Sequence, residues 1–97
     1  MGDLHARIVS VAVSALPEDH PSYSHYVVLI RWVGGEDHVV EHLGCYLYDD
    51  TPRWRSGRTT AARYDYNTAY RLACEWAPKV AVNGRTALDV LGQAADA

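Results

Sequence analysis

The chain has 97 residues, of which 48% are apolar and 22% charged, and its net charge is −3. This length and composition predict one domain, residues 1–97, with a single modest core, and they are not typical of a disordered protein. The longest apolar run, residues 26–30, is far shorter than the ~20 residues of a membrane helix, and no apolar signal segment follows Met1. We therefore expect a cytoplasmic protein that does not enter a membrane. Its two cysteines, Cys45 and Cys74, are expected to be reduced and buried.

Three β-strands are predicted in the first half of the chain. Residues 7–14 alternate in a way that is typical of a half-buried strand. Residues 26–33 are apolar on both faces, as in a central strand that a helix covers on one side. Gly34-Gly35 then predicts a hairpin turn into a third strand over residues 38–47, whose interior glycine indicates a bulge or a close backbone approach.

Helices are predicted in the second half of the chain. Residues 49–60 have the composition of a long loop, after which apolar residues take the spacing of an amphipathic helix, at Ala69, Leu72, Ala73, Trp76 and Val80. Pro78 is expected to end or kink this helix, and residues 80–82 are a candidate short strand. Asn83-Gly84 predicts a turn, and Thr86-Ala-Leu-Asp89 predicts a capping box that begins a last helix.

These elements, in the order β-β-β-α-(β)-α, define an α+β fold. It is a small antiparallel sheet of three to four strands with one main amphipathic helix packed on it. In such a fold the apolar faces of sheet and helix must bury each other. We therefore expect the helix stripe to lie against the strand face that carries Val28, Ile30 and Trp32.

One short motif suggests a metal. The segment His38-Val-Val-Glu41-His42 resembles the H-x-x-E-H pattern of inverted zinc peptidases, whose histidines share a zinc ion from one helix. The valines and the preceding turn instead favour a strand, on which four residues span roughly 13 Å, too far for two imidazoles to bind one metal. A zinc hydrolase at this motif is therefore the least favoured function. We predict no metal site and expect both histidines on the solvent-facing side of the strand.

The segment 53–71, rich in arginine and aromatic residues, is the main candidate for a binding surface. Its predicted site residues are Arg53, Trp54, Arg55, Arg58, Arg63, Tyr64 and Tyr66. These residue types dominate the hot spots of protein interfaces, and they also stack on bases and contact phosphates. A third interpretation is that Trp54 folds back onto the core and the arginines are solvated. The acidity of the whole chain argues against nucleic acid, because phosphate binding is mainly ionic.

The sequence contains no nucleophile motif and no Gly-rich phosphate loop, so we predict a non-enzymatic protein without a cofactor. The main hypothesis is a protein-binding protein that uses the segment around Trp54 and a sheet edge, which would also allow a homodimer. In its general build the chain resembles small accessory proteins of phages and mobile elements. That resemblance implies a protein that binds and inhibits a host complex, as anti-CRISPR proteins do. The alternative hypothesis is a small nucleic-acid-binding module that uses residues 53–71.

Overall fold

The computed structural model describes residues 10–48, 53–57 and 60–96, and it has the α+β fold that the sequence predicts. The strands are β1 (Ser10–Val13), β2 (Val28–Gly34), β3 (Asp37–His42), β4 (Cys45–Tyr48), β5 (Arg53–Arg55), β6 (Ala81–Val82) and β7 (Arg85–Thr86). The helices are α1 (Tyr66–Trp76) and α2 (Ala87–Asp96), and a single 3-10 turn (Tyr23–His25) precedes β2. Neither of these described helices has the length and apolar character needed to cross a bilayer.

The main sheet has five antiparallel strands in the order β1-β2-β3-β4-β5, where the sequence predicted three to four. The predicted third strand over residues 38–47 divides into β3 and β4 at Leu43-Gly44. Both turn residues have positive φ, 49° and 79°, which is the backbone of a type I′ hairpin turn rather than of a bulge. Strand β5 comes from a segment that was expected to be loop, and it pairs with β4 through Leu47 and Trp54.

The core lies between one face of the main sheet and α1. Val28 and Ile30 are 0% and 1% exposed, and they belong to one buried cluster with Ala69 and Ala73 of α1. The predicted orientation of this strand face is therefore confirmed for Val28 and Ile30, whereas Trp32 is not part of the cluster. Because the alanine side chains are short, they let the helix backbone lie close to the sheet and leave no room for larger groups.

Helix α1 ends ahead of Pro78, as the sequence predicts, but Val80, which was assigned to its apolar stripe, lies beyond the end of the helix. It begins after Asp65, which occupies the N-cap position without a side-chain hydrogen bond to the helix. Its last residue is Trp76, and the next turn closes when the N–H of Lys79 donates to the carbonyl of Trp76 at 2.8 Å. Cys74 is exposed on this helix and Cys45 is partly exposed, so the prediction that both cysteines are buried is wrong.

The C-terminal elements follow their local sequence signals. Strands β6 and β7 form a separate two-stranded sheet around the predicted Asn83-Gly84 turn. The predicted capping box is also present. The N–H of Thr86 donates to Asp89 Oδ2 at 3.0 Å, and the N–H of Asp89 donates to Thr86 Oγ1 at 3.2 Å.

The face of the main sheet opposite α1 is polar in part. Arg31 Nε donates to Glu41 Oε1 at 2.7 Å, and this hydrogen bond raises the pKa of Arg31 above its ordinary value although partial burial opposes the shift. On the same face, the hydroxyl of Tyr48 donates to the carbonyl oxygen of Gly57 at 2.6 Å. The chain that leaves β5 is thereby held against this end of the sheet.

Candidate functional site

The structure places the predicted site residues in separate parts of the molecule. Trp54 and Arg55 are neighbours in β5, so they point to opposite faces of the sheet. Trp54 faces α1, whereas the guanidinium of Arg55 lies on the far side, 5.4 Å from the centre of the Tyr48 ring. Arg53 is the first residue of β5, and Arg58 lies outside the described residues.

The other predicted residues lie near the start of α1. Tyr64 pairs with His38 through two backbone hydrogen bonds of 2.8 and 2.9 Å, and Arg63 is exposed just before it. Tyr66 is the first residue of α1, is 42% exposed, and meets the His38 ring with centroids 5.5 Å apart. It adjoins a recess of about 400 Å³ whose described lining residues are Trp32, Gly35, Glu36, His38, Asp65, Tyr66 and Asn67.

Trp54 is not the exposed loop tryptophan that its sequence context suggested. Its ring meets that of Trp76 edge to face, with centroids 5.5 Å apart and planes at 83°, and it meets the His42 ring at 5.9 Å. The side chain is half-buried and packs against the core cluster. Trp54 therefore folds back onto the core, as the third interpretation held, while part of its surface stays accessible.

A groove with a largely apolar surface lies beside the two tryptophans. Its volume is about 500 Å³, and we name it the tryptophan groove; the described residues that line it are His42, Leu43, Cys45, Trp54, Trp76, Lys79, Val80 and Ala81. Strand β5 and the end of α1 supply the tryptophans, and the β3–β4 turn supplies Leu43. Lys79, which follows α1, is the one described lining residue with a permanent charge.

Leu43 exposes an apolar side chain at this groove from an unfavourable backbone conformation. It is 55% exposed and has φ 49°, and a left-handed conformation strains a residue such as leucine by roughly 1–2 kcal/mol. Another two-residue turn, Asn83-Gly84, has nearly the same φ values, 54° and 80°, and carries the Asn-Gly pair that this turn favours. Two turns of one geometry thus differ at their first residue, and the less favourable leucine is the one beside the groove.

Leu43, Trp76 and Lys79 are site residues that sequence reasoning missed. A glycine after a β-rich run was a signal for a turn at Leu43-Gly44, but leucine in place of asparagine concealed it. Trp76 was assigned only to the helix stripe. Helical periodicity shows which face of a helix is apolar and not which strand that face meets.

The segment 38–42 forms β3, as its valines predicted, so its histidines are on a strand. The alternation of the strand separates Glu41, which bonds Arg31 on one face, from His38 and His42 on the face toward α1. The expectation that both histidines face solvent is wrong, because His42 is 7% exposed and its Nε2 lies 2.9 Å from the carbonyl oxygen of His25. Among the described residues, no three His, Cys, Asp or Glu side chains are grouped as metal ligands would be.

The described arginines of the predicted segment are spread over different surfaces. Arg55 lies on the sheet face away from α1, whereas Arg71 lies on the exposed side of α1, with its Nη1 4.0 Å from Glu75 Oε2. Arg63 is exposed near the other end of α1. A nucleic-acid strand would need such cations along one continuous path.

Comparison of the chain with protein-family models, curated proteins and solved structures found no significant match. Inferences about function therefore depend on the geometry of the chain's own residues.

Proposed function

We propose that this protein is a non-enzymatic protein-binding domain and that a partner protein docks in the tryptophan groove. The observation that carries the proposal is Leu43, a leucine that is 55% exposed and held at φ 49° beside two tryptophans. Strained backbone that persists in a fold is concentrated at functional sites. An exposed apolar side chain that adjoins an apolar groove is also typical of a surface that a partner covers.

The proposed occupant is a segment of the partner that inserts a bulky apolar side chain between Leu43 and the tryptophan pair. Tryptophan is enriched among the interface residues that contribute most to binding energy. Trp54 and Trp76 hold each other in place, so little side-chain freedom would be lost on binding.

A small domain whose groove binds a segment of a larger assembly could inhibit that assembly by keeping the segment from its other contacts. The same hypothesis came from the general build of the sequence, which resembles that of small accessory proteins of phages and mobile elements. Inhibition of a host complex, the cytoplasmic location and a homodimer through a sheet edge all remain predictions from the sequence.

A random-peptide display library tests the proposal without knowledge of the partner. Wild-type protein should enrich peptides that share a bulky apolar residue, and Leu43→Asn should lose this enrichment. The matched control is Leu88→Asn, because Leu88 is 57% exposed on α2 and does not line the groove. Failure of the wild type to enrich apolar peptides, or enrichment that survives Leu43→Asn, would contradict the proposal.

The Asn83-Gly84 turn provides a control for effects on folding. Leu43→Asn should raise the free energy of unfolding by about 1 kcal/mol, since asparagine tolerates the left-handed conformation, and Asn83→Leu should lower it by a similar amount. Loss of peptide binding by a more stable variant could not be attributed to unfolding. Chemical denaturation of both variants and the wild type gives these values.

The nucleic-acid alternative is tested by titrating oligonucleotides into the protein at low salt. Binding that is present at ~50 mM salt and lost by ~200 mM would support it, because phosphate contacts release counterions. We expect no such binding. Peptides selected by the tryptophan groove should instead stay bound over this range, since apolar burial is not screened by salt.

A further inference from the structure

A second recess lies on the other side of β6 from the tryptophan groove. Its volume is about 370 Å³, and we name it the polar recess; its described lining residues are Ser22, His25, Tyr26, Val82, Asn83 and Arg85. Five of these six carry a hydrogen-bond donor in the side chain. Within the described part of the chain, none of the five donates a side-chain hydrogen bond. The recess therefore gathers side-chain donors that form no hydrogen bond to another described residue.

Tyr26 is the most informative member of this set. It is 5% exposed and its side chain belongs to the core cluster, yet its hydroxyl makes no hydrogen bond to any described residue. Buried tyrosine hydroxyls usually have a hydrogen-bond partner, and one without such a partner calls for an explanation. An acceptor from a ligand in the recess that Tyr26 lines would satisfy it.

The charge of the polar recess is positive. Arg85 supplies the charge, and no described lining residue is acidic. Asp89 lies outside this lining; it accepts the N–H of Thr86, and its charge also interacts with that of Arg85. A guanidinium that forms no hydrogen bond to a described residue, beside hydroxyl and amide donors, is a set that matches a carboxylate, which accepts several hydrogen bonds at once.

The polar recess and the tryptophan groove adjoin each other. His42 lines the groove, and its Nε2 lies 2.9 Å from the carbonyl oxygen of His25, which lines the recess. The consecutive residues Ala81 and Val82 of β6 line the groove and the recess respectively. A partner segment that crosses β6 would contact both.

We propose that the polar recess binds the carboxylate of an acidic side chain on the same partner segment that places its apolar side chain in the tryptophan groove. The inference rests on the proposed function and specifies the partner further. The segment combines one bulky apolar residue with one Asp or Glu at a fixed spacing. Arg85 is the main contact for the carboxylate, and the hydroxyl of Tyr26 is a second donor.

The peptide selection tests this inference separately from the proposed function. Peptides enriched by the wild type should carry an acidic residue at constant spacing from the apolar anchor, and Arg85→Gln should lose the acidic preference while it keeps the apolar one. Arg63→Gln, an exposed arginine outside both sites, is the control and should change neither. An apolar preference without an acidic one, or an acidic preference unchanged in Arg85→Gln, would overturn this inference and leave the proposed function intact.

Calorimetry with a synthetic consensus peptide makes the test quantitative. Replacing its acidic residue by the matching amide should weaken binding to the wild type at least tenfold, but to Arg85→Gln less than about twofold, since a hydrogen bond to a charged group contributes this much. Equal losses in both proteins would overturn the inference.

Acetate, the simplest carboxylate, allows an independent test that does not use a peptide. Sodium acetate, compared with sodium chloride at equal ionic strength, should shift the backbone amide signals of Ser22, His25 and Arg85 in the wild type but not in Arg85→Gln. Shifts that persist in Arg85→Gln would overturn the inference. So would an oligonucleotide that produces the same Arg85-dependent shifts more strongly than the acidic peptide, because it would assign the recess to phosphate.

Discussion

Trp54 and Trp76 meet edge to face, with ring centroids 5.5 Å apart and ring planes at 83°. The contact joins β5, the last strand of the main sheet, to the last residue of α1. Both rings pack against the core and also line the tryptophan groove. Any change at Trp54 therefore alters folding and the groove together, which is why Leu43 is the better residue for a test of binding.

Trp54→Ala should lower the free energy of unfolding by ~2–3 kcal/mol, somewhat less than the loss for a fully buried aromatic residue. Because the two rings touch, Trp54→Ala and Trp76→Ala should be non-additive by ~0.5–1.5 kcal/mol in a double-mutant cycle measured by denaturant unfolding. A loss below ~0.5 kcal/mol for Trp54→Ala would show that the ring is exposed in solution.

Ile30→Ala should lower the free energy of unfolding by ~2–5 kcal/mol, because Ile30 is 1% exposed and a cavity would remain between the sheet and α1. Leu88→Ala is the control. Its side chain is 57% exposed, so the change should stay within ~0.5 kcal/mol apart from a small helix-propensity term. If Ile30→Ala behaved like Leu88→Ala, the sheet face assigned to the core would be the wrong one.

Gly57→Ala should destabilise the fold by ~1–3 kcal/mol. A Cβ at residue 57 would lie 2.9 Å from the hydroxyl oxygen of Tyr48 and 3.0 Å from Oγ1 of Thr60. Tyr48→Phe removes one of these atoms, so adding Gly57→Ala to it should cost less than in the wild type. Thermal unfolding of the single and double variants measures this difference.

Gly92→Ala is the control for Gly57→Ala, and it is expected to change stability in the opposite direction. Nothing lies within 4 Å of a Cβ at this position of α2, so the change should stabilise the helix by ~0.5–1 kcal/mol. If both glycine variants shifted stability in the same direction, close approach at Gly57 would not be the cause.

Asp89 should make the stability of the protein depend on pH in the acid range. Hydrogen bonds from the backbone and side chain of Thr86 hold the pKa of Asp89 below its ordinary value. A lowered pKa in the folded state contributes stability that is present above the unfolded pKa, near ~4, and is lost as the pH falls through the folded pKa. Asp89→Asn should lack this component, and thermal unfolding of both proteins between about pH 3 and 7 would show it as a gap that closes in acid. Parallel pH profiles would contradict the prediction.

Much of the fold follows from local sequence signals. Four features depend on residues that are close in the chain: the apolar residues on both faces of β2, the helical spacing over residues 69–76, the Asn83-Gly84 turn and the capping box of α2. Such signals depend on backbone preference and on which face is apolar, so they can be predicted without knowledge of the partners of each element. The α+β class follows from their order.

The sites depend on contacts that no local pattern contains. The face of β5 that carries Trp54 was decided by the pairing of Leu47 with Trp54, and that pairing required the chain to turn at Leu43-Gly44. The polar recess likewise gathers Tyr26 and Arg85 from distant parts of the chain. The sequence by itself determined most of the helices and strands and singled out Trp54 as a candidate binding residue, because propensity and periodicity are short-range. Only the tertiary structure decided which side chains meet, because strand register and helix docking are set by burial between residues far apart in the chain.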